Sequence, residues 1–136
     1  MAEDWMIHEV SGVKGVLHVV LSTADGLAKA WTPQTDKVTA EQTAAACAGL
    51  YSIGRGLKET FESEFGPGSG DTRQVMIDLG GGFIFVRRAS DGSRLAAVTD
   101  TTADPGVLGE QMAKTVAKTA SHLGAEPRHA DTSAAT

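Results

Sequence analysis

Two glycine-rich stretches come nearest to the spacing that nucleotide chemistry requires. Gly49 and Gly54-Arg55 give GxxxxG followed by a basic residue, a spacing similar to that of a phosphate-binding loop. The Lys-Ser/Thr ending is absent, and the glycines fall inside a predicted helix, where no row of free N–H groups could bind a phosphate. The Gly80 to Gly82 triplet follows a predicted strand, but another strand comes next, which favours a turn. We therefore expect no bound nucleotide or other cofactor.

The histidines and the single cysteine could bind a metal only if their spacing brought them together. The residues concerned are His8, His18, His122, His129 and Cys47. They share no metal-ligand spacing, so we predict no metal site. His18 alternates with the most apolar positions of a strand, which favours a hydrogen-bonded histidine in or beside the core. No GxSxG motif surrounds a serine, and the clustered aspartates fall at strand ends and helix caps. We predict that the protein is not an enzyme.

Charge and length exclude further classes of function. The chain has 136 residues, enough for one domain with a substantial core, and a formal charge of −5 with acids and bases interleaved. No basic run indicates binding to nucleic acid. The acidic start MAEDWM is unlike a signal peptide, and no apolar run approaches the length of a membrane span. We expect a cytoplasmic protein that partners can recruit to a membrane, without direct insertion.

One long helix, predicted over Thr39 to Phe65, has an unusual composition. Thr39 and Gln42 have the spacing of a capping box, and the glycine- and proline-rich Gly66 to Gly70 ends the helix. At about 100° per residue, a large apolar stripe and a small-residue stripe lie on roughly opposite faces. The large stripe contains Cys47, Leu50, Gly54, Leu57 and Phe61. The small stripe contains Ala45, Gly49, Ser52 and Gly56.

The small stripe has two interpretations that spacing alone leaves open. Each internal glycine costs a helix about 1 kcal/mol relative to alanine, so the folded or assembled state must offset the cost of Gly49, Gly54 and Gly56. Either the stripe lets the helix lie close to a sheet in its own domain, or it contacts the same helix of a second chain. A narrow polar arc between the two stripes would stay accessible; it contains Arg55, Lys58 and Glu59, with Tyr51 at its margin.

The remaining elements predict helices on both faces of one sheet. We predict, in order, a helix (Asp4 to Ser11), strands (Val16 to Leu21, Leu27 to Trp31), the long helix, strands (Arg73 to Leu79, Phe83 to Val86, Leu95 to Thr99) and a helix capped by Asp104. Several strands are apolar on both faces although their connections are hairpins or a helical crossover. The fold class is therefore α/β (α+β): a three-layer α/β/α domain with a five-stranded, mostly antiparallel sheet, over residues 1–124. We expect 125–136 to be a disordered tail.

The two sheet edges differ in their protection against pairing with another chain. The Leu27 to Trp31 edge is short and contains Lys29. The Arg73 to Leu79 edge is longer and free of proline and lysine, so it is the better candidate for pairing with a second chain.

Several motifs together resemble the roadblock family, which is related to dynein light chains. They are the run STADG at Ser22 to Gly26, the small-residue helix that ends in SIGRG, and the strand-turn-strand unit around Ser90-Asp91-Gly92. The resemblance extends from Asp4 to Leu123. Within the family, the chain looks most like the bacterial proteins that are encoded beside a sensor kinase and a small Ras-like GTPase.

The resemblance implies a roadblock (profilin/longin-like) fold and a homodimer. Dimerisation would join two sheets through the third strand and place two long helices side by side. The matching positions are Ala45, Gly49, Ser52 and Gly56 on the helix and Gln74, Val75, Met76, Ile77 and Asp78 on the strand.

The resemblance also implies regulation or scaffolding of a small Ras-like GTPase. We expect Tyr51, Arg55, Lys58 and Glu59 to form the contact surface. An alternative function is an adaptor that couples a membrane sensor kinase complex to downstream proteins without affecting GTP hydrolysis. A third is a small-molecule binding domain, which the absence of a convergent polar cluster disfavours.

Overall fold

The chain folds into three layers, with helices on both faces of one sheet. A computed structural model describes residues 4–67 and 70–125, with 120–125 in backbone alone. The helices are α1 Asp4–Ser11, α2 Lys37–Thr60, α3 Glu62–Phe65 and α4 Pro105–Ala125. The strands are β1 Val16–Ser22, β2 Ala28–Trp31, β3 Gln74–Asp78, β4 Phe83–Arg88 and β5 Arg94–Thr99.

The five strands form a sheet in the order β2-β1-β5-β4-β3, and the four neighbouring pairs in the described part are all antiparallel. The predicted element order and three-layer fold are confirmed, and β2 and β3 are the two edges, as expected.

Alternating side chains of the central strands enter two different cores. Phe83 and Phe85 of β4 pack beneath α1 and α4, together with Leu108 and Met112. On the other face, Val86 of β4 packs with residues of α2. This double coverage explains why residues 83–86 of β4 and 95–98 of β5 are continuously apolar.

Two aspartates begin the long helices, one of them at an unexpected position. The Asp104 carboxylate accepts the N–H of Gly106 at 2.8 Å, so Pro105 opens α4 as predicted. In α2 the cap is Asp36, whose Oδ1 accepts the N–H of Thr39 at 2.7 Å. The predicted capping box at Thr39 is therefore wrong, because the aspartate three residues earlier already binds that N–H group.

The predicted end of the long helix also requires a correction. Phe61 has φ −110° and ψ 29°, outside the helical region, and divides the predicted single helix into α2 and the short α3. The C-terminal helix α4 extends to Ala125, the first residue of the predicted tail; the rest of that tail lies outside the described residues.

Candidate partner-binding surface

The face of α2 that packs on the sheet is rotated from the predicted one. Ala40, Ala44, Cys47 and Tyr51 are its buried residues, and Leu50 is half-buried beside them. Leu57 and Phe61, predicted to be buried, are 55% and 46% exposed. The prediction that these two side chains belong to the core is wrong, because the buried stripe of α2 consists of smaller residues and the tyrosine.

Tyr51 does not belong to the accessible polar arc. It is fully buried, at 0% exposure, and its hydroxyl donates to the carbonyl oxygen of Arg73 at 3.1 Å. The expectation that Tyr51 contacts a partner is therefore wrong: a tyrosine can be buried when its O–H group finds an acceptor.

A buried arginine packs against the same tyrosine. The guanidinium carbon of Arg94 lies 4.3 Å from the centre of the Tyr51 ring, a cation–π contact, and Nη1 donates to the carbonyl oxygen of Ala24. Among the described residues, the buried Nε of Arg94 has no hydrogen-bond partner. Burial raises the pKa of Tyr51 to about 12 and that of Cys47 to about 11, and the charge of Arg94 opposes both shifts. At neutral pH, Cys47 is thus a protonated core thiol.

The small-residue stripe of α2 faces away from the sheet. All four of its residues, Ala45, Gly49, Ser52 and Gly56, are exposed. A Cβ atom at Gly49 or Gly56 would meet nothing within 4 Å. The interpretation that the whole stripe lets α2 lie close to its own sheet is therefore wrong, and a contact outside the chain is the alternative that remains.

Gly54 differs from the other two glycines of the helix. A Cβ atom there would lie 2.0 Å from Oγ1 of Thr72, in the segment that leads into β3. This glycine is thus required by packing within the chain, whereas Gly49 and Gly56 are not.

Exposed apolar side chains flank the small stripe. Ile53 is 62% exposed, and Val38 and Leu57 are similarly accessible. Residue type alone did not identify Ile53 as part of this face; its helical angle, about 40° from that of Gly49, could have done so. The outer face of α2 is therefore apolar and closely approachable, a combination typical of helix contacts.

The free edge of β3 has backbone groups that can pair with another strand. Arg88 donates its N–H to Arg73, and Leu79 donates its N–H to Gly82. Because hydrogen-bonded positions alternate in an antiparallel ladder, the N–H and C=O groups of Gln74, Met76 and Asp78 point away from β4.

The side chains along this edge follow the same alternation. Those of Gln74, Met76 and Asp78 are exposed, with Met76 at 44%, and those of Val75 and Ile77 are half-buried. The edge is thus open both in its backbone and in its side chains.

The other predicted contact residues lie on one side of α2. Glu59 is exposed and Lys58 is half-buried. The side chain of Arg55 is 56% exposed, and its Nη2 lies 3.7 Å from Oδ2 of Asp71. An ion pair at such a surface contributes about 0–1 kcal/mol, so a partner could displace Asp71 at little cost.

The histidines and the helices were also compared with the requirements of metal sites and membrane spans. Within the side chains described, those of residues 4–67 and 70–119, no three His, Cys, Asp or Glu residues come together in a way that could hold a metal ion. His18 donates to or accepts from Oγ1 of Thr35 at 2.7 Å, as expected for a histidine beside the core. No helix described is both long and apolar enough to cross a membrane.

Comparison with known proteins identifies this architecture. No curated protein sequence matches the chain. The crystal structure of a Roadblock/LC7 domain from Streptomyces avermitilis is 34% identical, with a TM-score of 0.76 over 89% of this chain and 97% of that chain.

More distant structures share the fold. MglB of Myxococcus xanthus is 12% identical, with a TM-score of 0.78 over 93% of this chain and 98% of that chain. Profilin II of Acanthamoeba castellanii is 15% identical, with a TM-score of 0.58 over 87% and 98%. The sequence profile described as Roadblock/LC7 domain matches residues 3–99, most of the chain. This protein belongs to the Roadblock/LC7 domain family.

Proposed function

We propose that this protein is a non-catalytic homodimer that binds a small Ras-like GTPase and modulates its nucleotide cycle in bacterial signalling. The exposed glycines of α2 are the main observation that supports the proposed dimer. Gly49 and Gly56 each oppose the helix by about 1 kcal/mol, yet neither is needed for packing inside the chain. Close approach of a second backbone accounts for both. The GTPase role rests on the resemblance of the sequence to the bacterial roadblock proteins.

The second chain would also extend the sheet at β3. Gln74, Met76 and Asp78 have the outward backbone groups, so the longest symmetric antiparallel pairing has its twofold axis at Met76. Met76 then pairs with its own copy, and Gln74 pairs with the partner's Asp78. This register covers the exposed Met76 side chain while the outer faces of the two α2 helices meet.

The GTPase would bind beside the helix contact. Arg55, Lys58 and Glu59 supply both signs of charge on the part of α2 that the dimer leaves open, and Arg55 is the side chain that could reach farthest into a partner. Mixed charges at the rim of an interface mainly set association rate and partner choice.

A pull-down with purified proteins tests this surface. The chain is immobilised and offered a small Ras-like GTPase from the same organism, loaded with GDP or with a GTP analogue. We expect nucleotide-dependent binding to wild type and at least about tenfold weaker binding to Arg55→Ala/Lys58→Ala/Glu59→Ala, because several contacts are removed together.

The matched control is Glu110→Ala/Lys114→Ala, which removes one exposed charge pair from α4 in the opposite layer. The control should bind as wild type does. Undiminished binding by the triple variant would exclude the surface, and no binding by wild type in either nucleotide state would exclude the GTPase role.

Single-turnover GTP hydrolysis separates regulation from scaffolding. If Arg55 acts as a donated arginine finger, wild type accelerates hydrolysis by about 10³-fold or more and Arg55→Ala abolishes the acceleration. If hydrolysis and nucleotide exchange are unchanged while binding persists, the alternative adaptor function, which couples a sensor kinase complex to downstream proteins, is favoured.

A further inference from the structure

A cavity lies at the end of the sheet where β4 turns into β5, on the side covered by α4. It has a volume of about 260 Å³ and is lined by Arg73, Arg87 and Arg88, with Ala113 and Ala117 of α4 opposite them. One buried water needs only about 10–15 Å³ of such volume. The cavity therefore has room for a small ligand between a cationic rim and an apolar wall.

The side-chain hydrogen bonds of Arg87 and Arg88 do not neutralise their charges. Nη1 of Arg87 donates to Oε1 of Gln74 at 2.6 Å, and Nε of Arg88 donates to the carbonyl oxygen of Thr72 at 3.1 Å. Both acceptors are neutral. Among residues 4–67 and 70–119, no carboxylate forms an ion pair with Arg73, Arg87 or Arg88.

Two aspartates in the segments that flank these strands, Asp71 and Asp91, already have other partners. The Asp71 carboxylate pairs with Arg55, and the N–H of Thr72 together with the charges of Arg55 and Arg88 holds the pKa of Asp71 below its usual value. The Asp91 carboxylate accepts both the N–H and the hydroxyl of Ser93. Asp71 therefore compensates part of the charge of Arg88, but neither carboxylate forms an ion pair with Arg73 or Arg87.

Positive charge is concentrated at this end of an otherwise acidic chain. Four of the six arginines lie between residues 73 and 94, although the formal charge of the chain is −5. The fourth, Arg94, stands opposite Arg88 in the β4–β5 ladder and is buried. Its guanidinium packs against the Tyr51 ring of α2, so Arg94 is not part of the cavity lining.

We propose that this cavity is a binding site for a phosphate-type oxyanion, with Arg73 and Arg87 as the principal ligands. A guanidinium presents paired N–H donors that match the oxygens of a phosphoryl group, and several guanidinium groups favour a dianion over a single carboxylate. The helical wall of this cavity is α4, whereas the GTPase surface proposed above consists of α2 side chains, so the two sites use different side chains.

Isothermal titration calorimetry with inorganic pyrophosphate tests the site at about 0.15 M salt, where exposed charges are largely screened. Wild type should bind saturably with a Kd below about 1 mM. Arg73→Ala/Arg87→Ala should bind at least about tenfold more weakly, because two charge-assisted donors are lost. Circular dichroism and light scattering check that this variant keeps its fold and oligomeric state. If either changes, the single variant Arg87→Ala replaces the double variant in the titration.

The matched control is Lys37→Ala/Lys114→Ala, which removes the same charge from two exposed positions outside the cavity. The control should bind pyrophosphate as wild type does. Equal weakening in the control would show a mere net-charge effect and overturn the proposal. Absence of saturable binding would also overturn it, as expected if the partner's Asp78 reached Arg87 across the strand edge.

Vesicle sedimentation identifies the source of the phosphoryl group. Phosphatidylcholine vesicles with and without a phosphoinositide are mixed with wild type and with the two double variants. Phosphoinositide-dependent sedimentation that only the arginine variant loses assigns the site to a lipid headgroup. Pyrophosphate binding without sedimentation assigns it to a free phosphate compound, and both results support the site. GTPase binding by the α2 surface is measured separately, so either proposal can fail alone.

Discussion

Replacing Met76 by cysteine should lock two copies of the chain together through β3. The backbone groups of Gln74, Met76 and Asp78 point outward from the sheet, so the symmetric pairing centred on Met76 uses every free group of this edge. In that register residue 76 lies opposite its own copy, and residue 74 lies opposite residue 78 of the partner.

The distances that follow from this register decide which cysteine can cross-link. Directly opposed residues in a hydrogen-bonded antiparallel pair have Cα atoms about 5.5 Å apart, within the range of about 4.4–6.8 Å that a disulfide allows. The two copies of residue 74 are displaced by four residues along the strands, or about 14 Å at 3.4 Å per residue. Gln74→Cys is therefore a matched control on the same exposed face, and it should not cross-link.

The assay is mild oxidation followed by electrophoresis without reductant. The native Cys47 is buried and its pKa is raised to about 11, and Cys47→Ala removes it as a source of disulfides altogether. In that background, Met76→Cys should give a band at twice the chain mass of 14.1 kDa, and reductant should reverse it. Cross-linking of Gln74→Cys as readily as Met76→Cys would mean random collision, and absence of both would refute strand pairing in this register.

Four further substitutions test the packing. Gly49→Ala meets open space in the single chain, so it should stabilise the helix by up to about 1 kcal/mol yet weaken the dimer on dilution in analytical ultracentrifugation; a tighter dimer would contradict the helix contact. Gly82→Ala would place Cβ 2.0 Å from the Thr99 carbonyl oxygen at φ +152°, so urea unfolding should show a loss of more than about 1 kcal/mol. Gly81→Ala, with nothing within 4 Å, should change it by less than about 0.5 kcal/mol. Burial raises the pKa of Cys47 from 9.0 to about 11, so the folded state favours the protonated thiol. The resulting contribution to the free energy of unfolding, at most about 3 kcal/mol, is fully present below pH 9 and is lost as the pH rises from 9 to 11. The stability gap between wild type and Cys47→Ala should narrow over that range, and a constant gap would contradict the shift.

The sequence predicted the elements of the fold well because their local signals agree. The first helix matches at both ends, and the strand over Val16–Ser22 differs from its prediction by one residue. Apolar strands bounded by Asp-Gly and glycine turns, and a Pro105 start for α4, leave few alternative topologies. Short connections then force neighbouring strands to pair.

The orientation of α2 could not be predicted from residue type. Counting large side chains selected a stripe through Leu57 and Phe61, but the sheet packs against the stripe through Cys47 and Tyr51. Tyr51 is buried because the Arg73 carbonyl accepts its O–H, and Arg94 covers its ring. Both partners are distant in sequence, and a buried arginine contradicts the usual hydropathy of a core. Tertiary contacts therefore explain why Tyr51 is buried and does not belong to the candidate surface.

For the small-residue stripe, the sequence and the structure together distinguish between two possible contacts. Spacing alone left open whether Gly49 and Gly56 face the sheet or another chain. The open space around both glycines excludes packing of these positions against the sheet. The composition of Arg73 to Leu79 marked a vulnerable edge, and the ladder with β4 identifies which of its backbone groups are free.

Multi-angle light scattering on the purified wild-type chain at micromolar concentration tests the central claim most directly. The outer face of α2 and the edge of β3 predict a molar mass of about 28 kDa, twice the 14.1 kDa of one chain. They also predict that Gly49→Glu, which places a charge in the helix contact, shifts the mass toward that of one chain while the fold persists. A wild-type mass of about 14 kDa at these concentrations would contradict the account.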